Sequence, residues 1–318
     1  MNMVSHRFPL ALQTIQHWLH ICKPLKMQLT ITGYSTALFA TWYFIDEYGL
    51  LLDAGDGFIS SLLHKSRKVK HVFISHADRD HLTGLFQFNQ LNARPGFPII
   101  YYPKDSASFP ALEAFSKAFD PHVSRTLWKP VAAGERIFIK DSLYVDAIQN
   151  EHVPVKEGIT RSLSFKLFQR KRKLKPELSH LSEAAIRKIA LENGKDTVTE
   201  KVQDCILGYS GDMPVDNVER WNNCRILIHE ATFLGGKEDI NLRAHGNRHS
   251  TLEEVVEMVS NSSIEKLILG HFSSRYTQEQ IDNSILHLCK QYYLHIPVFR
   301  ILPGQVVSDI LSRQPINK

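Results

Sequence analysis

One short stretch, His76-x-Asp78-x-Asp80-His81, follows directly on the apolar run Val72-Phe73-Ile74 and brings four metal-ligating side chains into six residues. A buried strand that ends in such a cluster must open onto a polar sheet edge. Three more residues of the same kind, His152, Asp212 and His271, each come after a stretch of strand-like composition. If those strands share that edge, imidazoles and carboxylates gather there, a donor set suited to divalent metals.

Residues 76, 78 and 80 on an extended turn point in related directions while His81 faces another way, so one loop can serve two metal ions about 3.5 to 4 Å apart. Asp212 lies in Gly208-Tyr209-Ser210-Gly211-Asp212, where glycines let the backbone come close and suit the aspartate to a bridging role. Taken singly, each histidine reads as a hydrogen-bonded structural residue and each aspartate as a turn residue. Their conjunction and order point instead to metal-assisted hydrolysis.

The chain has 318 residues, 43% hydrophobic and 22% charged, which excludes intrinsic disorder as the default and permits one domain of ordinary size. A net charge of +5 accommodates an anionic substrate but falls short of a dedicated nucleic-acid binder. Cys22, Cys205, Cys224 and Cys289 form no C-x-x-C pair, so they read as reduced thiols, mostly buried. No apolar run approaches the roughly 18 residues of a membrane span, and no small-residue cleavage site follows the N-terminal segment. The expectation is a cytoplasmic chain with no membrane partner.

Residues 1–26 read as an amphipathic helical extension carrying Leu12, Ile15, Trp18 and Leu19 on one face, halted near Pro24. A single domain is expected over 27–318. Strands are predicted at Met27–Ile31, Ala40–Ile45, Leu50–Leu52, Val69–Ile74, Leu143–Ile148, Cys205–Leu207, Ile226–Ile228 and Leu267–Leu269. Helices are predicted at Pro110–Phe119 and Ser182–Asn193. Two more are announced by capping boxes, Thr251 with Glu254 and Thr277 with Gln280. Strands followed by strands mixed with helices give an α/β class, two sheets covered by helices. The basic run Arg170-Lys171-Arg172-Lys173-Leu174-Lys175 reads either as a solvated loop or as a surface for RNA phosphates.

The His76-to-His81 pattern resembles the H-x-H-x-D-H motif of the metallo-β-lactamase superfamily. Tyr209-Ser210-Gly211-Asp212, His229-Glu230-Ala231-Thr232, His249-Ser250-Thr251 and Gly270-His271-Phe272-Ser273 are most similar to tRNase Z, the endonuclease that trims tRNA 3′ ends. The resemblance runs from about Met27 to Tyr276 and is weak between Asn89 and Val145. It implies an αββα sandwich of two mixed sheets and two divalent ions, zinc first. One ion would sit at His76, residue 78 and His152, the other at Asp80, His81 and His271, with Asp212 shared. It also implies a catalytic Asp80, which would orient the attacking water, and a Glu230 and His249 pair serving the leaving oxygen.

Two departures stand out. Asp78 replaces the family's histidine, which favours harder ions such as manganese or iron. The segment 161–203 lacks the Gly-Pro-rich arm that grips tRNA and offers the basic run instead. The expected function is a phosphodiesterase acting on an RNA 3′ end or a smaller phosphodiester, in a chain that can pair as a homodimer. The alternative is an acyl hydrolase acting on a lactone, thioester or β-lactam.

Overall fold

The computed structural model describes residues 29–120, 125–235 and 248–318. The expected helix over 1–26 and Cys22 therefore lie outside the described residues.

The first sheet has β1 (Ile31–Thr36), β2 (Ala40–Ile45), β3 (Leu50–Leu52), β4 (His71–Phe73), β5 (Ile99–Pro103) and β6 (Leu127–Val131), side by side in that order. Among these strands lie α1 (Phe58–Leu62), α2 (Arg79–Leu82), α3 (Leu85–Asn92) and α4 (Ser108–Phe119). The second sheet holds β7 (Arg136–Lys140), β8 (Leu143–Gln149), β9 (Leu163–Leu174), β10 (Thr199–Tyr209), β11 (Ile226–Glu230), β12 (Lys266–Gly270) and β13 (Val298–Arg300), again in sequential order. Along the chain among these strands come α5 (Glu183–Asn193), α6 (Lys195–Val198), α7 (Leu252–Ser260) and α8 (Gln278–Gln291). Strands β3 to β6 run parallel, as do β10 to β13, so the chain repeatedly leaves a sheet at a strand's C-terminal end.

The chain divides into two compact units, 29–169 with 205–318 and, among the described residues, 170–204. In the large unit the strands are apolar on both faces. Tyr43 and Ile45 of β2, with Ile226 and Ile228 of β11, point into the core between the sheets. Trp42 and Phe44 pack outward with Phe58 of α1 and Phe88 of α3, while Leu227 packs outward with Val255 of α7 and Ile285 of α8. Continuous apolar strands buried on both sides are what parallel sheets under helices require. The result is a layered αββα sandwich.

Both expected capping boxes form, at Thr251 with Glu254 and at Thr277 with Gln280. Two expectations are corrected. The first strand begins at Ile31 rather than ending there, because pairing with β2 along Ile31–Thr36 overrides the turn-like composition of Thr32, Gly33 and Ser35. The basic run up to Leu174 is strand rather than loop, since it is the outer half of β9, and Lys175 follows it. In the small unit Ser182 caps α5 by accepting from the Ala185 amide at 3.3 Å. Lys171 pairs with Asp204 at 2.6 Å, and Arg172 pairs with Asp196.

His71 opens β4 at 8% exposure, stacked on Tyr101, with a buried Nδ1 that meets no hydrogen-bond partner among the described residues. Burial, and then Lys70, Lys129 and Lys140, push its pKa down to about 4 from 6.5. The unfolded chain thus takes up this proton first, so the stability His71 gives is complete above pH 6.5 and is lost as pH falls through about 4. At about 1.4 kcal/mol per pH unit the loss is about 3 kcal/mol. Denaturant titrations of His71→Gln should show a stability profile flatter than the parent's by roughly that amount over this window. Parallel profiles would show that His71 is not held neutral.

Candidate metal centre

Each expected site residue in the large unit stands at the C-terminal end of a strand or in the loop that follows one. His76 to His81 follow β4, His152 follows β8, Asp212 follows β10, Glu230 ends β11 and His271 follows β12. His249 precedes α7. The structure brings all of them together. One oxygen, Asp212 Oδ2, lies 3.2 Å from His81 Nε2, 3.2 Å from His271 Nε2 and 3.7 Å from His76 Nε2. Asp80 Oδ2 is 3.5 Å from both His81 Nε2 and His271 Nε2. Asp78 Oδ2 is 3.6 Å from both His76 Nε2 and His152 Nε2. Donors on a tetrahedral ion bound at about 2.1 Å stand about 3.4 Å apart, the spacing found here.

The local backbone is shaped for this convergence. Gly211 has φ +60°, and a Cβ there would fall 2.7 Å from Ser75 Cβ, so only glycine lets the loop before Asp212 approach the loop before His76. His271 and Asp53 also adopt positive φ, at +61° and +54°, a strain that non-glycine residues bear mostly at functional sites.

The hydrogen bonds behind the imidazoles decide which nitrogen carries the proton. Asp53, fully buried, accepts from His81 Nδ1 at 2.7 Å, from the Ser75 amide at 2.6 Å, from Ser75 Oγ at 2.8 Å and from Tyr209 Oη. With its hydroxyl proton so committed, Ser75 Oγ accepts from His76 Nδ1 at 2.9 Å. Thr232 Oγ1 donates to Glu230 at 2.5 Å and accepts from His271 Nδ1 at 2.8 Å, and the Arg248 carbonyl accepts from His152 Nδ1 at 3.4 Å. In these four rings Nδ1 is therefore a donor, and in the neutral ring Nε2 turns a lone pair toward a carboxylate. The Nε2 atoms of His76, His81 and His271 are buried without hydrogen-bond partners among the described residues. Lone pairs facing carboxylate oxygens repel unless a cation lies between them, so these residues fit a divalent metal centre.

Charge shifts follow the same geometry. Burial alone would lift the Asp212 carboxyl, but His271 and His81 outweigh it and hold it well below the usual carboxylate range. Burial would lower His249, yet Glu230 at 3.0 Å raises it to about 9. Glu230 itself accepts from the Met213 amide at 2.8 Å and the Thr232 amide at 3.2 Å. Reading the chain as sequence missed Asp53, Ser75 and Thr232. For Asp53 there was a signal: an acid flanked by Leu50–Leu52 and Ala54 is buried, and a buried acid needs donors.

Known structures settle the architecture. The structure superposes on the metallo-β-lactamase fold protein YhfI from Bacillus subtilis with a TM-score of 0.58 at 13% identity, covering 88% of this chain and 99% of that one. Human tRNase Z, short form, aligns with a TM-score of 0.56 at 17% identity, covering 88% and 99%. This chain has the metallo-β-lactamase fold.

Sequence relatives narrow the resemblance within metallo-β-lactamase-fold proteins. Ribonuclease Z of Bacillus licheniformis is 27% identical over 256 residues, 73% of this chain and 80% of that protein. Ribonuclease Z of Methanocaldococcus jannaschii is 26% identical over 305 residues, 84% of this chain and 88% of that protein. No family model matches the chain. Among the described residues no helix is long and apolar enough to cross a membrane.

Proposed function

We propose that this chain is a metal-dependent phosphodiesterase of the ribonuclease Z kind, acting on RNA 3′ ends. The observation that carries the reading is the Glu230, Thr232 and His249 network set against the donor cluster. Acyl hydrolysis has little use for such a network, and the relatives named ribonuclease Z do not favour that alternative. His76, Asp78 and His152 would hold one divalent ion, Asp80, His81 and His271 the other, and Asp212 both. Zinc suits the imidazoles, and Asp78 also admits manganese or iron. When bound, such ions supply Lewis acidity and a water-derived nucleophile at neutral pH.

The protein's own groups supply the rest. Asp80, whose Oδ2 accepts from the Leu38 amide at 3.1 Å, is fixed to orient the attacking water. His249 stays protonated at neutral pH and binds Glu230 through Nδ1, which leaves Nε2 to deliver a proton to the departing oxygen. Of the basic run, Lys173 and Lys175 form no ion pair among the described residues and serve as RNA-backbone contacts, together with Arg170. Lys171 and Arg172 are already matched to acids and contribute less. Two copies can pair through α4, where Phe115 and Phe119 are 57% and 66% exposed. The cytoplasm is the compartment proposed for it.

Pre-tRNA and bis(p-nitrophenyl) phosphate test the reading together. Metal-loaded protein should cleave both, and chelation should stop both. Lys173→Glu with Lys175→Glu should lower kcat/KM for pre-tRNA by about tenfold or more and leave the small ester unchanged. Protein that holds two ions and cleaves neither substrate would remove the proposal.

A further inference from the structure

The two donor groups meeting at Asp212 differ. Asp80, His81, Asp212 and His271 form a closed set in which all donor atoms lie within 4.8 Å of one another. On the other side only His76, His152 and Asp212 satisfy that condition. Asp78 reaches both imidazoles but stands outside the mutual set, and its side chain is 62% exposed against 11% for Asp80. The Leu38 amide fixes Asp80, whereas the Asp78 carboxylate receives no backbone hydrogen bond among the described residues.

Because Asp78 replaces a nitrogen donor, both positions offer the same ligands: two imidazoles, one carboxylate of their own and a share of Asp212. Donor type therefore cannot rank them, and shielding does. An exposed carboxylate is well hydrated when no ion is bound. It also keeps its rotamer freedom until it binds, so ligation there costs more ordering and desolvation. Water and competing ions reach it directly. A buried carboxylate with a fixed rotamer is already organised for the ion.

We propose that His76, Asp78 and His152 form an exchangeable metal position beside a retained one at Asp80, His81, Asp212 and His271. The supply of free divalent ion then sets how much of the protein is doubly loaded, and the centre becomes an ion-gated one. This rests on the metal-centre reading above but is measured by metal content, not turnover.

Zinc-loaded protein dialysed against a weak chelator should keep about one ion per chain. The second should return, in competition with a chromogenic chelator, with a Kd about tenfold or more weaker than the first. Asp78→His should draw the weaker Kd toward the stronger, while Asp78→Ala, in an unaltered circular-dichroism envelope, should retain only the first ion. Two Kd values within about threefold in the parent, or an Asp78→His protein whose weaker Kd is unmoved, would overturn the inference. A parent that binds no ion at all would instead remove the metal-centre reading on which it stands.

Discussion

Asp212→Ala is expected to cost both metal positions and to lower phosphodiester cleavage by about 10³- to 10⁴-fold. The size of the effect follows from one atom. Asp212 Oδ2 faces three imidazole nitrogens at 3.2, 3.2 and 3.7 Å, and its side chain is only 5% exposed. Removing it takes a donor from each side at once. Asp212→Asn keeps the shape and removes the charge, so it should also lose metal, which separates electrostatics from packing. Elemental analysis beside the assay checks this. An Asp212→Asn protein that retains two ions per chain with activity within about tenfold would show that the carboxylate does not bridge.

His249→Ala should reduce RNA cleavage by about 10²- to 10⁴-fold while leaving metal content unchanged. His249 stands 3.0 Å from Glu230, which lifts its pKa to about 9 and keeps it protonated at neutral pH. The decisive comparison is between leaving groups. A ribose alkoxide needs a proton as it departs, whereas p-nitrophenolate is stable without one. The variant should therefore lose far less activity on bis(p-nitrophenyl) phosphate than on pre-tRNA. Equal losses on both would assign His249 to positioning rather than proton delivery. Glu230→Gln should show the same substrate dependence in weaker form, because it lowers the histidine's pKa without removing the ring.

The parts legible in the sequence are those where one local rule decides the outcome. Capping boxes at Thr251 and Thr277 announce α7 and α8 because hydroxyl and carboxyl satisfy amides within three residues. The donor residues were legible because few contexts place His76, Asp78, Asp80 and His81 together after an apolar strand. β1 was misplaced because its pairing partner, not its composition, fixes it. The outer half of β9 was hidden because Arg170, Lys171, Arg172 and Lys173 erase any period of two. Asp53 was missed because its role depends on Tyr209, 156 positions away.

That long-range bond has a consequence for the molecule's endurance. Asp53 follows a strand of one sheet and Tyr209 ends a strand of the other, with His81 and Ser75 held on the same carboxylate. An ion held by His81 and Asp212 would rivet the two layers together from the open edge, and prying them apart would mean first ejecting it. Metal scarcity should then shorten the protein's lifetime against proteases as well as silence it.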